Sequence, residues 1–71
     1  MTKDIGVRVG VRIRALRTKR RWSQAMLADH AGITREHLSE LERGKKEPGI
    51  LILDRIVQAL DLSLRQFFDD L

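Results

Sequence analysis

Residues 22–44 read WSQAMLADHAGITREHLSELERG. Two short runs, each opened by a small hydroxyl residue, flank a single glycine. Ser23 can accept a hydrogen bond from the free amides that begin a helix, and Gly32 can end one in the left-handed region. The first run therefore reads as a helix from Gln24 to Ala31, with Leu27, Ala28 and Ala31 turned inward. Thr34 caps the second run, which continues to about Arg43 and is stopped by Gly44, with Leu38 and Leu41 inward. Two short helices joined by about three to four residues that include glycine have the spacing of a helix-turn-helix, spanning residues 23–43 here.

That geometry leaves the far side of the second helix free. Counting about 100° per residue from Leu38, the positions farthest from the core are Glu36, Ser39, Glu40 and Arg43, with Arg35 at the helix N-terminus. The face is polar and rich in hydrogen-bonding groups. Glu36 and Glu40 are like charges four residues apart, an arrangement that slightly disfavours an isolated helix, so helix stability does not account for them. Glu42 falls near the Leu38–Leu41 stripe instead, a poor place for a lone carboxylate.

Working outward, Ile5, Val9, Ile13 and Leu16 recur at helical spacing. They predict a first helix from about Gly6 or Val7 to Arg20, with arginines on its other faces and with Gly6 and Gly10 weakening its start. The loop GKKEPG is rich in breakers. It leads to a fourth helix from about Ile50 to Leu60, with Ile50, Leu53, Ile56, Val57 and Leu60 as its buried stripe. Ser63 and Gln66 have the spacing of a capping box and open a last helix, LRQFFDDL. No segment alternates as a strand does. The expected fold is all-α, a compact bundle of five helices in one domain.

A chain of 71 residues buries only about 60% of the surface its unfolded form exposes, so its core must be economical. Cysteine is absent, which excludes disulfides and thiolate metal sites, and the histidines and carboxylates show no metal-ligand spacing. His30 and His37 belong to no recognisable pairing with a nucleophile or metal ligand set, so no catalytic constellation, metal, cofactor or small-molecule ligand is expected. No run approaches the roughly 20 apolar residues of a membrane span, and charges occupy the place of a signal peptide's apolar stretch; a soluble cytoplasmic protein is expected. The net charge is only +4. Its distribution is uneven: Lys3, Arg8, Arg12, Arg14, Arg17, Lys19, Arg20 and Arg21 crowd the first third, while Glu47, Asp54, Asp61, Asp69 and Asp70 outnumber the cations of the last. One end should attract a polyanion.

SQAMLADHAGITREHLSELERGKKEP resembles the helix-turn-helix of the Cro and lambda-repressor-like, or Xre, family of bacterial and phage transcription regulators. The resemblance extends from VRIRALR to ALDLSLRQFF. It is carried by Ser23-Gln24, Leu27-Ala28, Gly32, Leu38 and the run Leu41-Glu42-Arg43-Gly44 before a loop containing proline. The chain departs from the pattern where Arg21 and Trp22 replace a common Gly and Leu, and where Gly49, Leu51 and Ile52 replace a Ser cap and polar residues. Trp22 is expected to fill core.

The resemblance implies a bundle of lambda-repressor type that binds double-stranded DNA, with the helix over residues 34–43 in the major groove. Arg35, Glu36, Ser39 and Glu40 are then the base-reading candidates, since Arg matches guanine O6 and N7 and Glu can accept from cytosine N4. Arg20, Arg21, Gln24, Thr34, Arg43, Lys45 and Lys46 are candidates for phosphate contacts, which set affinity and register. The family pattern pairs the position of Glu42 with an arginine of the first helix, here Arg17. Operator binding in the family is usually as a homodimer. Leu51, Ile52 and one of Phe67 and Phe68 supply more apolar surface than one small core can use, and mark a candidate interface between two copies. A nucleoid-associated regulator acting without a cofactor is the leading expectation; a DNA-binding antitoxin with a second protein partner is the alternative.

Overall fold

The computed structural model describes residues 4–69 and 71, so Lys3 and Asp70 of the charge pattern lie outside the described residues. The elements are α1 (Ile5–Lys19), α2 (Gln24–Ala31), α3 (Arg35–Glu42), α4 (Ile50–Ala59) and α5 (Leu64–Asp69). α1 starts slightly earlier than its glycines suggest because Asp4 caps it, the carboxylate accepting from the Gly6 amide at 2.9 Å.

Three of the four turns repeat one device of three residues: a left-handed residue, an apolar residue and a hydroxyl cap. The left-handed positions are Arg21 (φ 61°), Gly32 (φ 73°) and Asp61 (φ 61°). In each, the amide of the following apolar residue donates back to the preceding helix, Trp22 to Arg17, Ile33 to Ala28 and Leu62 to Val57, at 3.2, 3.0 and 2.8 Å. The next residue then caps the new helix. Ser23 and Thr34 accept from Met26 and His37, and Ser63 and Gln66 bond reciprocally as the capping box. Helix ends are thus satisfied and the chain turns sharply without a long loop.

The core collects Val9 and Ile13 from α1, Leu27, Ala28 and Ala31 from α2, Leu38 and Leu41 from α3, Leu53, Ile56, Val57 and Leu60 from α4 and its cap, and Phe67 from α5. α1 crosses α3 at Gly10. A Cβ there would sit 2.9 Å from the Glu42 carbonyl oxygen and closer still to that of Leu41, so glycine is what lets the backbones meet. The residue that weakens α1 as an isolated helix is the one that fits it to its neighbour.

Ile50, assigned to the buried stripe of the fourth helix, is exposed instead, as is Ile5, the first of the apolar residues whose spacing predicts α1. Ile5 and Ile50 are the first residues of α1 and α4, and Ile50 is 70% exposed. Helical side chains lean toward the helix N-terminus, so those in a first turn overhang the packed region rather than entering it. Trp22 packs only partly against the core; its ring lies between the His30 ring, stacked at 4.7 Å, and the Arg20 guanidinium at 4.8 Å. His30 is exposed and is stacked on Trp22. α5 is held from α1: Arg12 Nε donates to the Phe67 carbonyl at 3.2 Å and its guanidinium lies over the Phe67 ring, while Arg8 donates to the Leu71 carbonyl. Part of the N-terminal positive charge thus serves the C-terminal helix. Among the described residues, no helix is long and apolar enough to cross a membrane.

Candidate nucleic-acid interface

α2 and α3 meet through the Gly32-Ile33-Thr34 turn, which buries Leu38 and Leu41 and leaves Arg35 and Glu36 exposed, with Ser39 and Glu40 half-exposed. All four base-reading candidates thus share the accessible side of α3. Both carboxylates on this side face a cation of the same chain: Arg35 Nη2 lies 3.7 Å from Glu36 Oε2, and Lys46 Nζ lies 3.5 Å from Glu40 Oε1. Arg43 curls along the helix, its Nε donating to the Ser39 carbonyl at 3.3 Å.

The phosphate candidates divide. Arg21, Lys45 and Lys46 are exposed at the entry to α2 and the exit from α3. Thr34 uses its hydroxyl oxygen to accept from the His37 amide at 3.0 Å, leaving its O–H proton free to donate outward. Arg20 is turned to the α4–α5 turn, where its Nη2 meets Asp61 Oδ2 at 3.0 Å. Gln24 is turned inward: its Nε2 donates to Glu42 Oε1 at 3.1 Å, at the C-terminal end of α3.

Glu42 is the centre of a buried network. Arg17 Nε and Nη2 donate to its two carboxylate oxygens at 2.7 and 3.0 Å, Gln24 supplies a third bond, and Arg17 Nη1 donates to the Trp22 carbonyl at 2.7 Å. Among the described residues, every buried side-chain nitrogen and oxygen has a hydrogen-bond partner. One constellation therefore ties α1, the turn into α2, the first residue of α2 and the last of α3, which fixes the angle at which α3 is presented.

Of the two phenylalanines offered as alternatives for a dimer contact, Phe67 is the one removed and Phe68 the one left. Phe67 is fully buried, because α5 turns it into the core beneath Arg12, and it cannot meet another molecule. Phe68, edge-on to it at 5.2 Å between ring centroids, is exposed, as is Leu51 at 63%, and Ile52 is half-buried. Ile5, Pro48, Ile50 and Phe68 border a groove of about 260 Å³ floored by Val9 and Leu53. Sequence reasoning missed Ile5 and Ile50 as members of this surface; their place in a first turn was the available signal.

A family model of the helix-turn-helix, HTH_3, matches residues 13–67. The immunity repressor protein of Bacillus phage phi105 is 34% identical over 56 residues, covering 79% of this chain and 39% of that protein. The HTH-type transcriptional regulator SinR of Bacillus subtilis is 32% identical over 63 residues, covering 87% of this chain and 57% of that one. Among solved structures, the restriction-modification controller protein C.AhdI from Aeromonas hydrophila superimposes with a TM-score of 0.85 at 33% identity, over 89% of this chain and 96% of that chain. The clp gene regulator ClgR from Corynebacterium glutamicum does so with a TM-score of 0.88 at 27% identity, over 94% and 86%. The chain belongs to the helix-turn-helix family of Xre-type, DNA-binding transcription regulators. It spans between 26% and 57% of the length of the curated relatives it matches.

Proposed function

We propose that this chain binds double-stranded DNA at a specific site by laying α3 in the major groove, and that it does so as a homodimer. The observation that carries the reading is the accessible side of α3, where Arg35, Glu36, Ser39 and Glu40 stand together, with the exposed cations Arg21 and Lys45 at the entry to α2 and the exit from α3. Arg35 and the two glutamates suit base edges; Arg21, Arg43, Lys45 and Lys46 suit the flanking phosphates, with Thr34 donating at the N-terminus of α3. Arg20 and Gln24, both engaged within the protein, contribute less.

The homodimer is supported by the apolar surface around Ile5, Ile50, Leu51 and Phe68. A two-fold contact there sets two copies of α3 about one helical turn, about 34 Å, apart on one face of the duplex. Regulation of transcription follows from occupancy of the site. Selection of bound sequences from random duplexes tests the reading. A recurring, two-fold-related motif with steeply salt-dependent affinity is expected; equal recovery of all sequences would overturn it.

A further inference from the structure

α3 presents two carboxylates toward the space in which DNA, a polyanion, is proposed to lie. Left alone, each would repel the phosphates. Glu40 is half-buried on α3 and is met by Lys46, which comes from the loop beyond the helix. The backbone sets this approach. Gly44 is left-handed at φ 72°, its amide donates to the Leu41 carbonyl at 3.1 Å, and the Lys45 amide donates to the carbonyl of Glu40 itself at 2.9 Å. The chain therefore doubles back along the last turn of α3. The loop is also packed from α1. A Cβ on Gly44 would lie 2.8 Å from a Val7 methyl, and one on Gly6 would lie 2.9 Å from the Glu47 side chain. Lys46 thus starts from a pinned backbone, on the Glu40 carboxylate and, in the proposed complex, beside the phosphates.

We infer that Lys46 is a specificity-determining residue that acts through Glu40 by exchanging partners: its ammonium leaves Glu40 for a phosphate only when the base edge opposite Glu40 offers an amine. Cytosine N4 and adenine N6 are such donors, and either satisfies the carboxylate once Lys46 has gone. Guanine O6 and N7 and thymine O4 are acceptors. Opposite those, Glu40 would face only negative atoms, so Lys46 stays with it and one phosphate goes uncontacted. A contact that looks purely electrostatic thereby becomes conditional on sequence. The exposed pair is weak enough to be exchanged, since ion pairs of this kind contribute little by themselves. The inference rests on the proposed binding by α3 and deepens it.

The test uses the whole chain with sites selected from random duplexes by wild type, Glu40→Gln and Lys46→Met, after thermal melts confirm that both variants fold. Glu40→Gln identifies the base pair concerned as the one at which its selected site changes. Wild type is expected to prefer the amine-bearing base there by about fivefold or more. Its salt slope should be steeper by about one ion on that duplex than on the duplex altered at that pair. Lys46→Met should lose the slope difference and sharpen the preference, since Glu40 then faces an acceptor base with no cation to cover it, while keeping the rest of the motif. Should Lys46→Met instead weaken every duplex alike and keep the preference, Lys46 is a plain phosphate contact and the inference is overturned. Failure of wild type to select any motif would overturn the parent reading, and this one with it, so the two failures are distinguishable.

Discussion

Arg17 on α1 and Glu42 at the end of α3 face each other across the domain in a two-pronged ion pair, with side chains only 11% and 2% exposed. Two charges have been taken out of water, and their geometry and additional hydrogen bonds offset that cost only while both are present. Breaking such a pair from one side typically costs about 3–5 kcal/mol. In a domain of this size that corresponds to a fall in melting temperature of more than about 10 °C. Glu42→Gln is expected to show it by thermal melt. Arg17→Met with Glu42→Leu should be less destabilised than either single change, because no charge is left unpaired. A Glu42→Gln melt within a degree or two of wild type would contradict the buried pair.

Gly10 should resist even alanine. Alanine favours a helix over glycine by up to about 1 kcal/mol, but here its Cβ meets the backbone carbonyls of Leu41 and Glu42, which cannot move aside as a flexible side chain can. Overpacking of this kind costs about 1–3 kcal/mol, so a net loss of stability is expected in chemical denaturation. By contrast Gly49, the N-cap of α4, has no side-chain cap bond and open space around its Cα. Gly49→Ser should raise stability by a few tenths of a kcal/mol.

Arg21 separates stability from binding. A non-glycine residue at φ 61° carries a conformational cost of about 1–2 kcal/mol, which glycine avoids at some loss of chain entropy. Arg21→Gly is expected to be neutral to stabilising in a thermal melt. It should weaken binding to all duplexes alike and lower the salt slope by about one. A stabilised variant with unchanged DNA affinity and slope would remove Arg21 from the interface.

The apolar surface gives a separate expectation. Sedimentation equilibrium at tens of micromolar should find a dimer that Leu51→Glu or Ile50→Glu dissociates without unfolding, since both side chains are largely exposed in the single chain. A monomer, or a dimer indifferent to both changes, would place the contact elsewhere.

The helix boundaries were legible because they are written locally. Ser23, Gly32, Thr34, Gly44, Ser63 and Gln66 act on amides and carbonyls within a few residues of themselves, and apolar spacing supplies the inward faces. The side of α3 that carries Arg35, Glu36, Ser39 and Glu40 followed from the same counting. What could not be read depends on distance in space. Gly10 looked like a flaw in α1 because the α3 carbonyls it admits lie some thirty residues on. Arg21 hid a left-handed turn because the usual glycine was missing, and Ile5 and Ile50 kept helical spacing although their first turns overhang the core. That Glu42 needed a partner was evident from its position. That the partner was Arg17 came from the family resemblance, and that Gln24 joins it, or Lys46 meets Glu40, came only from the folded chain.

Base preference in Arg35→Ala and Glu36→Ala tests most directly whether α3 reads DNA. Sites would be selected from random duplexes by each variant and by wild type, with folding checked by thermal melt. Each exposed side chain can be removed without disturbing the core, and each base contact is worth on the order of 1–3 kcal/mol of discrimination. Loss of preference at different, particular positions of the motif, with the rest of the motif kept, is the expected result. Identical motifs from both variants and from wild type would contradict the assignment of α3 as the reading helix.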